Sequence, residues 1–249
     1  MLLMPANDPH RQKPLDHPTP DRPHRHYVAM TNSCNRACPW CSTCSSPRGR
    51  TWLDLDAFER SLPLSGFYQV QLEGGEPTIH PRFWDFVRIA RAHSRCTHLV
   101  LCTNGVVLPR NHQALVTYIQ RLQHPLTIKL SINHYLLDHD PGLISLALNL
   151  RDVLAELCAE DQAERLLVIN VRLRRGYDND DHRVREAVES AGLLANANIF
   201  YLQRYGFASG EANWELPAPV WHKFTLLNPD GQTFGPDLIA RSEAMRSLP

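Results

Sequence analysis

The stretch "YQVQLEGGEPTIHPRFWDFVRIARAHSRCTHLVLCTNG", residues 68–105, contains one complete strand–helix–strand repeat. Its short apolar runs at 68–72 and 98–102 have the length and composition of buried strands. Between them, residues 81–93 predict a helix, because apolar side chains recur there at the 3.6-residue spacing of one helical face. These side chains are Phe83, Phe86, Val87 and Ala90. Two buried strands joined by a helix predict a parallel βαβ unit.

The same alternation extends in both directions along the chain. Further strands are predicted at 27–30, 127–132, 166–173 and 198–203, and further helices at 55–62, 111–122, 141–160 and 181–191. Six strands with five intervening helices indicate an α/β fold on a parallel sheet, either open or closed into a barrel. After them, "FTLLNPDGQTFG" (224–235) predicts a β-hairpin, because β-prone residues flank an Asn-Pro-Asp-Gly turn.

The composition argues against several classes of protein. The 249 residues include 26 basic and 26 acidic side chains, a balance that implies neither nucleic acid nor a membrane surface as partner. The start "MLLMPANDPH" lacks the basic segment of a secretory signal, and no stretch approaches the roughly 18 apolar residues of a membrane span. We therefore expect a cytoplasmic protein, in which clustered cysteines indicate metal ligands or catalytic groups before disulfides.

Residues 1–25 differ in composition from the remainder of the chain. They carry six prolines and few large apolar groups, which predicts a mobile tail. Three histidines there lie seven residues apart, but a tail without structure does not fix the geometry of metal ligands.

Polar or glycine-rich sequences follow five consecutive predicted strands. In chain order they are "TNSCNRACPWCSTCSS" (31–46), "EGGEP" (73–77), "TNG" (103–105), the pair Ser131 and Asn133, and Arg172. In parallel α/β folds, ligands gather at the carboxyl ends of the strands. These five features therefore predict one shared site, although Asn104-Gly105 in "TNG" fits a simple turn equally well.

Four of the seven cysteines fall within eleven positions: Cys34, Cys38, Cys41 and Cys44. A four-cysteine zinc site usually draws two closely spaced pairs from separate loops, whereas these four share one loop. A ferredoxin-type cluster also uses one loop, but its fourth cysteine follows a gap of three residues and precedes proline, unlike Cys44. Three cysteines on a 4Fe-4S cluster leave one iron open, as a catalytic metal site requires.

The spacing C-x3-C-x2-C, with Trp40 before the third cysteine and a strand before the loop, resembles the cluster motif of radical S-adenosylmethionine (radical SAM) enzymes. "GGEP" after the second strand resembles the second motif of that family. The resemblance covers about residues 26–206, and no cysteine follows to form a C-terminal auxiliary-cluster domain. It implies a partial (β/α)6 TIM-like barrel of parallel strands, with residues 207–249, hairpin included, covering the opening.

The resemblance also implies two cofactors, a 4Fe-4S cluster and S-adenosylmethionine. Cys34, Cys38 and Cys41 would ligate the cluster, and the amino and carboxylate groups of S-adenosylmethionine would chelate the fourth iron. Gly74 and Gly75 would let the backbone approach the ligand closely. Glu76, or the backbone around it, would receive the methionine ammonium.

The remaining carried-over residues lie on the later strands. Ser131 and Asn133 resemble the pair that hydrogen-bonds the ribose hydroxyls. Arg172 would meet the methionine carboxylate, with Asn170 and Arg174 as alternatives on the same face of the strand. The adenine would lie near Trp40 and against the backbone at Leu202 and Gln203.

The implied reaction is reductive cleavage of S-adenosylmethionine to methionine and a 5′-deoxyadenosyl radical, which abstracts a hydrogen atom from the substrate. The cluster would be oxygen-sensitive and would need an electron donor such as flavodoxin or ferredoxin. The predicted substrate is a peptide or protein; the alternative is a small molecule such as a sugar, amino acid or nucleotide. A third hypothesis is a non-catalytic iron–sulfur electron carrier that uses Cys44 as the fourth ligand. Candidates to touch the substrate are Phe207, Trp214, Trp221 and His222.

Overall fold

The computed structural model describes residues 24–174, 176–203, 206–210 and 223–249. Its centre is one seven-stranded sheet in which every pairing is parallel, curled into a half-barrel. The strands are β1 (His24–Ala29), β2 (Tyr68–Glu73), β3 (Cys96–Thr103), β4 (Leu126–Ile132), β5 (Arg165–Leu173), β6 (Ala197–Tyr201) and β7 (Phe224–Leu227). Their order in space is β6-β5-β4-β3-β2-β1-β7. The predicted partial TIM-like barrel is therefore confirmed.

The helices alternate with the strands as the sequence predicts. They are α1 (Leu55–Ser61), α2 (Phe83–Ala92), α3 (His112–Leu122), α4 (His134–His139), α5 (Leu143–Asp161), α6 (Asp178–Ser190) and α7 (Leu238–Arg246). The five predicted helices correspond to α1, α2, α3, α5 and α6, while α4 and α7 were not predicted. Several begin at polar caps; for example, Asn111 Oδ1 accepts a hydrogen bond from the Ala114 amide at 3.1 Å.

The two faces of the sheet differ in chemistry. In β2, Val70 and Leu72 are buried in the core beneath the helices, and the alternate residues Gln71 and Glu73 point to the concave face. In β4, Ile128 and Leu130 occupy the same core, while Lys129 and Ser131 alternate with them. The helices thus cover an apolar outer face and leave a polar concave face. Among the described residues, β6 and β7 are the two edges of the sheet and do not pair with each other.

Strand β7 corrects the predicted organisation of the C-terminal segment. Residues Phe224–Leu227, predicted as one arm of a hairpin, instead pair in parallel with β1 as the seventh strand. The turn does form, since the Gly231 amide donates to Asn228 O at 2.9 Å, but a single antiparallel bridge, Leu227 to Thr233, follows it. A short β-prone run does not reveal its partner strand, and β1 lies about 200 residues away in sequence.

Strand β1 begins at His24, so the predicted tail boundary at residue 25 is two residues too late. Arg25 is buried, and its guanidinium donates two hydrogen bonds to Gln69 Oε1, at 2.7 and 3.0 Å, which offset the cost of its burial. A polar residue that is buried through such a partner has no apolar signal in the sequence. The rest of the predicted tail, residues 1–23, lies outside the described residues. None of the described helices is long and apolar enough to cross a membrane.

Candidate functional site

The three predicted cluster ligands lie on the loop that leaves the carboxyl end of β1. The Cys34 amide donates to Ser46 O at 3.0 Å, which closes the base of the loop. Two successive turns follow, in which the Cys41 amide donates to Cys38 O at 3.2 Å and the Cys44 amide donates to Cys41 O at 3.3 Å. The loop therefore holds its cysteines by backbone hydrogen bonds within one compact segment.

The environment of the thiols favours a positively charged partner. Burial raises the pKa of the Cys34 thiol to about 12, and it also raises that of Cys38 to about 12, although nearby Arg172 and Arg36 act in the opposite direction. Such thiols stay protonated at neutral pH unless a cation or metal stabilises the thiolate. In the described part of the chain, no three His, Cys, Asp or Glu side chains converge on a single metal ion. A cluster makes no such demand, because each cysteine binds a different iron.

Hydrogen-bond donors surround two of the sulfur atoms. Asn104 Nδ2 lies 3.6 Å from Cys34 Sγ, and the Ser45 amide lies 3.4 Å from Cys41 Sγ. The hydroxyl of Thr43 lies 3.3 Å from Cys41 Sγ and donates to Gly74 O at 2.9 Å. Donors of this kind stabilise a thiolate and tune the metal centre it binds. Asn104 was a weak prediction from "TNG", whereas Thr43 has no sequence signal beyond its place in the loop.

The "GGEP" loop packs directly on the backbone that enters the cysteine loop. The Gly75 amide donates to Thr31 O at 2.6 Å, and the Glu76 amide donates to Ser33 O at 3.0 Å. A Cβ atom on Gly75 would lie 1.8 Å from Ser33 O, and one on Gly74 would lie 2.7 Å from Thr31 O. The glycines were predicted to approach a ligand; the close approach in the structure is to the Thr31–Ser33 backbone.

Glu76 joins the second and third strand-end loops. It is 1% exposed, and its carboxylate accepts four hydrogen bonds: from the Thr78 amide and hydroxyl, the Thr103 hydroxyl at 2.8 Å and the Asn104 amide at 2.8 Å. Burial raises the pKa of this carboxyl group, and the four donors act against that shift. The carboxylate is thus occupied by the protein itself.

Replacing Glu76 with glutamine is expected to lower the free energy of unfolding by about 1–3 kcal/mol, because the new amide NH2 would face N–H or O–H donors in either orientation. Anaerobic urea denaturation measures this change. Glu59→Gln, at an exposed position of α1, serves as the matched control and is expected to change stability by less than about 0.5 kcal/mol. Equal stabilities of the two variants would show that the four hydrogen bonds contribute little.

Of the three strand-five candidates, Arg172 lies beside the cysteine loop. Its guanidinium donates to Ser42 Oγ at 3.3 Å, lies 5.4 Å from the Phe200 ring and partly offsets the rise that burial causes in the pKa of the Cys38 thiol. Asn170 Oδ1 accepts from Asn198 Nδ2 at 3.3 Å. The Arg174 guanidinium lies over two aromatic rings, 3.8 Å from that of Tyr177 and 5.2 Å from that of Trp40.

Trp40 and Leu202 come together at the other side of the site. With Ala208 they form a small buried apolar cluster, and the imidazole of His134 lies 4.8 Å from the Trp40 ring. The Leu202 amide donates to Leu173 O at 2.9 Å, which fixes the end of β6 beside β5. No sequence pattern indicated His134, because α4 was not predicted.

The two residues predicted to bind the ribose, Ser131 and Asn133, differ in their surroundings. Ser131 lies on the concave face at the end of β4, in register with Asn170. Asn133 is buried and caps α4, since its Oδ1 accepts from the Leu136 amide at 2.9 Å. Asn133 therefore has a structural role whether or not its amide also contacts a ligand.

Cys44 points toward the C-terminal helix. Its Sγ lies 3.8 Å from Ser242 O, and burial raises the pKa of its thiol while the nearby Arg246 acts in the opposite direction. Phe207, a candidate to touch the substrate, is 41% exposed, and its amide donates to Cys41 O at 2.9 Å. The other candidates, Trp214, Trp221 and His222, lie outside the described residues.

Comparison with known proteins identifies the segment that carries this site. Residues 28–140 match the sequence profile of the Radical SAM superfamily. Over 92 residues the chain is 34% identical to GTP 3′,8-cyclase of Chlorobaculum tepidum, a match that covers 36% of this chain and 28% of the cyclase. Over 84 residues it is 37% identical to mycofactocin maturase MftC of Mycobacterium ulcerans, covering 31% of this chain and 21% of the maturase.

The fold is also similar to a solved structure. Streptococcus suis SuiB, in its complex with the precursor peptide SuiA, superposes with a TM-score of 0.51 and 13% identity, over 79% of this chain and 43% of SuiB. This likeness concerns the fold alone. Each matched segment spans less than a third of its curated relative, 28% of the cyclase and 21% of the maturase.

Proposed function

We propose that this chain is a radical SAM enzyme that cleaves S-adenosylmethionine reductively at a single 4Fe-4S cluster, because residues 28–140 match the profile of that superfamily. The observation that carries the proposal is the set of three cysteines on one loop at the carboxyl end of β1. Asn104 Nδ2 lies beside the sulfur atom of Cys34, and the Ser45 amide lies beside that of Cys41. Cysteines held together on one loop, with N–H donors beside two of their sulfur atoms, fit an iron–sulfur cluster.

When bound, the cluster and S-adenosylmethionine supply one-electron cleavage of a carbon–sulfur bond, giving methionine and a 5′-deoxyadenosyl radical that takes a hydrogen atom from the substrate. The residues of the chain hold and orient these groups. Cys34, Cys38 and Cys41 would ligate three irons and leave the fourth for the amino and carboxylate groups of S-adenosylmethionine. The concave face of the half-barrel orients the substrate and limits its contact with water.

For the methionine ammonium, the backbone near Gly74 and Gly75 is the better receptor, because the Glu76 carboxylate already accepts four hydrogen bonds. Arg172 is the best receptor for the methionine carboxylate, since its guanidinium lies beside the cysteine loop and its buried Nε has no hydrogen-bond partner among the described residues. Ser131 and Asn133 would serve the ribose. Trp40 and Leu202 offer an apolar surface to the adenine.

The test of this function is anaerobic formation of 5′-deoxyadenosine. The protein is reconstituted with iron and sulfide, mixed with S-adenosylmethionine and dithionite, and assayed by liquid chromatography, with and without candidate substrates. Formation of 5′-deoxyadenosine by the protein that contains the cluster is the expected result. A cluster that is reduced and yet yields no 5′-deoxyadenosine with any substrate tested would contradict the proposal.

Arg172→Ala is expected to weaken the binding of S-adenosylmethionine about tenfold or more, because a charge-assisted hydrogen bond is lost. Isothermal titration calorimetry of the reconstituted protein measures the dissociation constant. Arg151→Ala, in α5 and paired with Asp152 at the surface, is the matched control and is expected to leave it unchanged. An unchanged dissociation constant for Arg172→Ala would show that Arg172 does not bind the methionine carboxylate and that another residue does.

We propose a peptide or protein as the substrate. The half-barrel is open between β6 and β7 within the described residues, and an open side admits a chain segment that a closed barrel excludes. The expected result is that peptides raise the rate of 5′-deoxyadenosine formation above the substrate-free rate. A deuterated peptide should lose its deuterium at one position. Stimulation only by small molecules would overturn this choice of substrate.

A small polar molecule is the second candidate, and the polar concave face favours it. Lys129 Nζ donates to Gln71 Oε1 at 3.1 Å, and Gln71 Nε2 donates to Glu73 Oε2 at 2.5 Å, so polar groups of β4 and β2 are joined across β3. One relative is named for a reaction of GTP and another for maturation of mycofactocin, so the sequence matches do not choose between the classes. Sugars, amino acids and nucleotides, GTP included, therefore belong in the same substrate screen.

The proposed electron donor is a small redox protein such as flavodoxin or ferredoxin. Residues 31–53 contain three arginines and no acidic residue, and this charge suits an acidic partner. The alternative of a non-catalytic electron carrier requires Cys44 as the fourth ligand. The contact of the Cys44 thiol with Ser242 O in α7 argues against that alternative.

A further inference from the structure

The turn at residues 206–207 contacts Cys41, the third predicted cluster ligand. The Phe207 amide donates to Cys41 O at 2.9 Å. Gly206 has a left-handed φ of +67°, and a Cβ atom there would lie 2.2 Å from Cys41 O and 2.5 Å from Ser42 Cα. Glycine is therefore required at 206 both for its conformation and for the close approach to the cysteine loop.

Helix α7 forms a second layer behind this turn. Ser242 Oγ accepts from the Gly206 amide at 2.5 Å and donates to Ser42 O at 3.3 Å, so one buried hydroxyl joins the turn to the cysteine loop. Arg246 donates to Gly206 O at 2.5 Å, and Ser242 O lies 3.8 Å from the Cys44 thiol. The helix thus contacts both sides of the Cys41–Cys44 turn.

Helix α7 is itself anchored to the end of β2, and the residues that follow it are bonded to the loop after β1. Arg241 forms a buried ion pair with Glu73, at the end of β2, with an N–O distance of 2.7 Å. Beyond the helix, Pro249 O accepts from Asn32 Nδ2 at 2.8 Å and from the Arg50 amide at 2.9 Å. Contacts at both its ends fix the position of α7 relative to the cysteine loop.

We propose that residues 206–209 and helix α7 form a brace that positions Cys41, and with it the open face of the cluster. This inference rests on the proposed function, since Cys41 matters only as a ligand. The cysteine loop has little regular structure of its own, and Cys44 sits at a left-handed φ of 51°, which costs a non-glycine residue energy unless its surroundings hold it. The brace lies outside residues 28–140 and is therefore separate from the segment that matches the superfamily.

The first test compares two serines of the C-terminal helix region. Ser242→Ala removes the hydroxyl that joins the turn to the loop, whereas Ser247→Ala removes an exposed hydroxyl that bonds only locally, to Ala244 O at 2.8 Å. We expect Ser242→Ala to lose iron to a chelator about fivefold faster, the effect of one buried hydrogen bond. Its reduced cluster should also show an altered electron paramagnetic resonance spectrum, and Ser247→Ala should match the wild type in both.

The second test compares two left-handed glycines. Gly206→Ala and Gly192→Ala carry the same backbone penalty, at φ of +67° and +65°, but a Cβ at 192 meets no atom within 4 Å. We expect Gly206→Ala to bind iron about tenfold more weakly or worse, and Gly192→Ala to bind it like the wild type. Circular dichroism of both variants identifies a general failure to fold.

A readout without the cluster separates this proposal from the proposed function. Before reconstitution, alkylation of Cys41 and Cys44, resolved by mass spectrometry, should be about fivefold faster in Ser242→Ala than in the wild type. Alkylation, iron loss and spectrum all equal to those of the wild type would overturn the brace. Faster alkylation with unchanged iron loss and spectrum would also overturn it as a positioning device. A wild-type chain that binds no cluster would contradict the proposed function. The alkylation rates would then still test whether the brace contacts the cysteine loop.

Discussion

Replacing Cys38 with alanine is expected to abolish cluster binding and 5′-deoxyadenosine formation, whereas replacing Cys44 is expected to leave both in place. Cys38 would supply one of three ligands, and loss of a ligand exposes an iron that water and chelators can attack. Cys44 instead lies against Ser242 O and Arg246. Iron and sulfide content after anaerobic reconstitution, followed by the 5′-deoxyadenosine assay, measures the effect.

The pair of variants is its own control, because both remove a thiol from the same loop. A Cys44→Ala protein that lost its cluster would support the electron-carrier hypothesis, in which Cys44 is the fourth ligand. A Cys38→Ala protein that kept a catalytically competent cluster would contradict the ligand assignment. Cys158→Ala, on α5 and remote from the loop, controls for nonspecific effects of removing a thiol.

Replacing Gly75 with alanine is expected to lower the free energy of unfolding by about 3 kcal/mol and to prevent stable cluster binding. The new Cβ would lie 1.8 Å from Ser33 O, a backbone atom that moves only if the cysteine loop moves. Both the "GGEP" loop and the entry to the cysteine loop would therefore shift. Urea denaturation measures the stability, and iron content after reconstitution measures the cluster.

Gly142→Ala is the control for this substitution. Gly142 has an ordinary φ of −83°, and its added Cβ would meet only the Asp140 carboxylate, at 3.4 Å. We expect it to change stability by less than about 0.5 kcal/mol and to leave the cluster intact. Near-wild-type stability and iron content for Gly75→Ala would mean that the loop relaxes, and that glycine is needed at 75 for another reason.

The fold followed from local patterns because parallel βα repeats carry a strong local signal. Runs such as 166–173 are apolar enough to indicate a buried strand, and the spacing of Phe83, Phe86, Val87 and Ala90 indicates a helix that packs on the sheet. The local pattern did not predict β7 as a strand of the main sheet, since its four residues are equally suited to a hairpin arm. The short helix α4 was not predicted either, because its cap, Asn133, was interpreted as a ligand-binding residue.

The sequence by itself determined the chemistry of the site: the cysteine spacing, the glycine-rich second loop and the strand ends that carry polar residues. Only the tertiary structure decided which contacts each of those residues makes. It occupied the Glu76 carboxylate with donors from the third loop, brought Arg172 rather than Arg174 beside the cysteines, and directed Cys44 to α7. The physical reason is range: spacing along the chain records neighbours within a few residues, whereas Ser42 meets Ser242 across 200 residues.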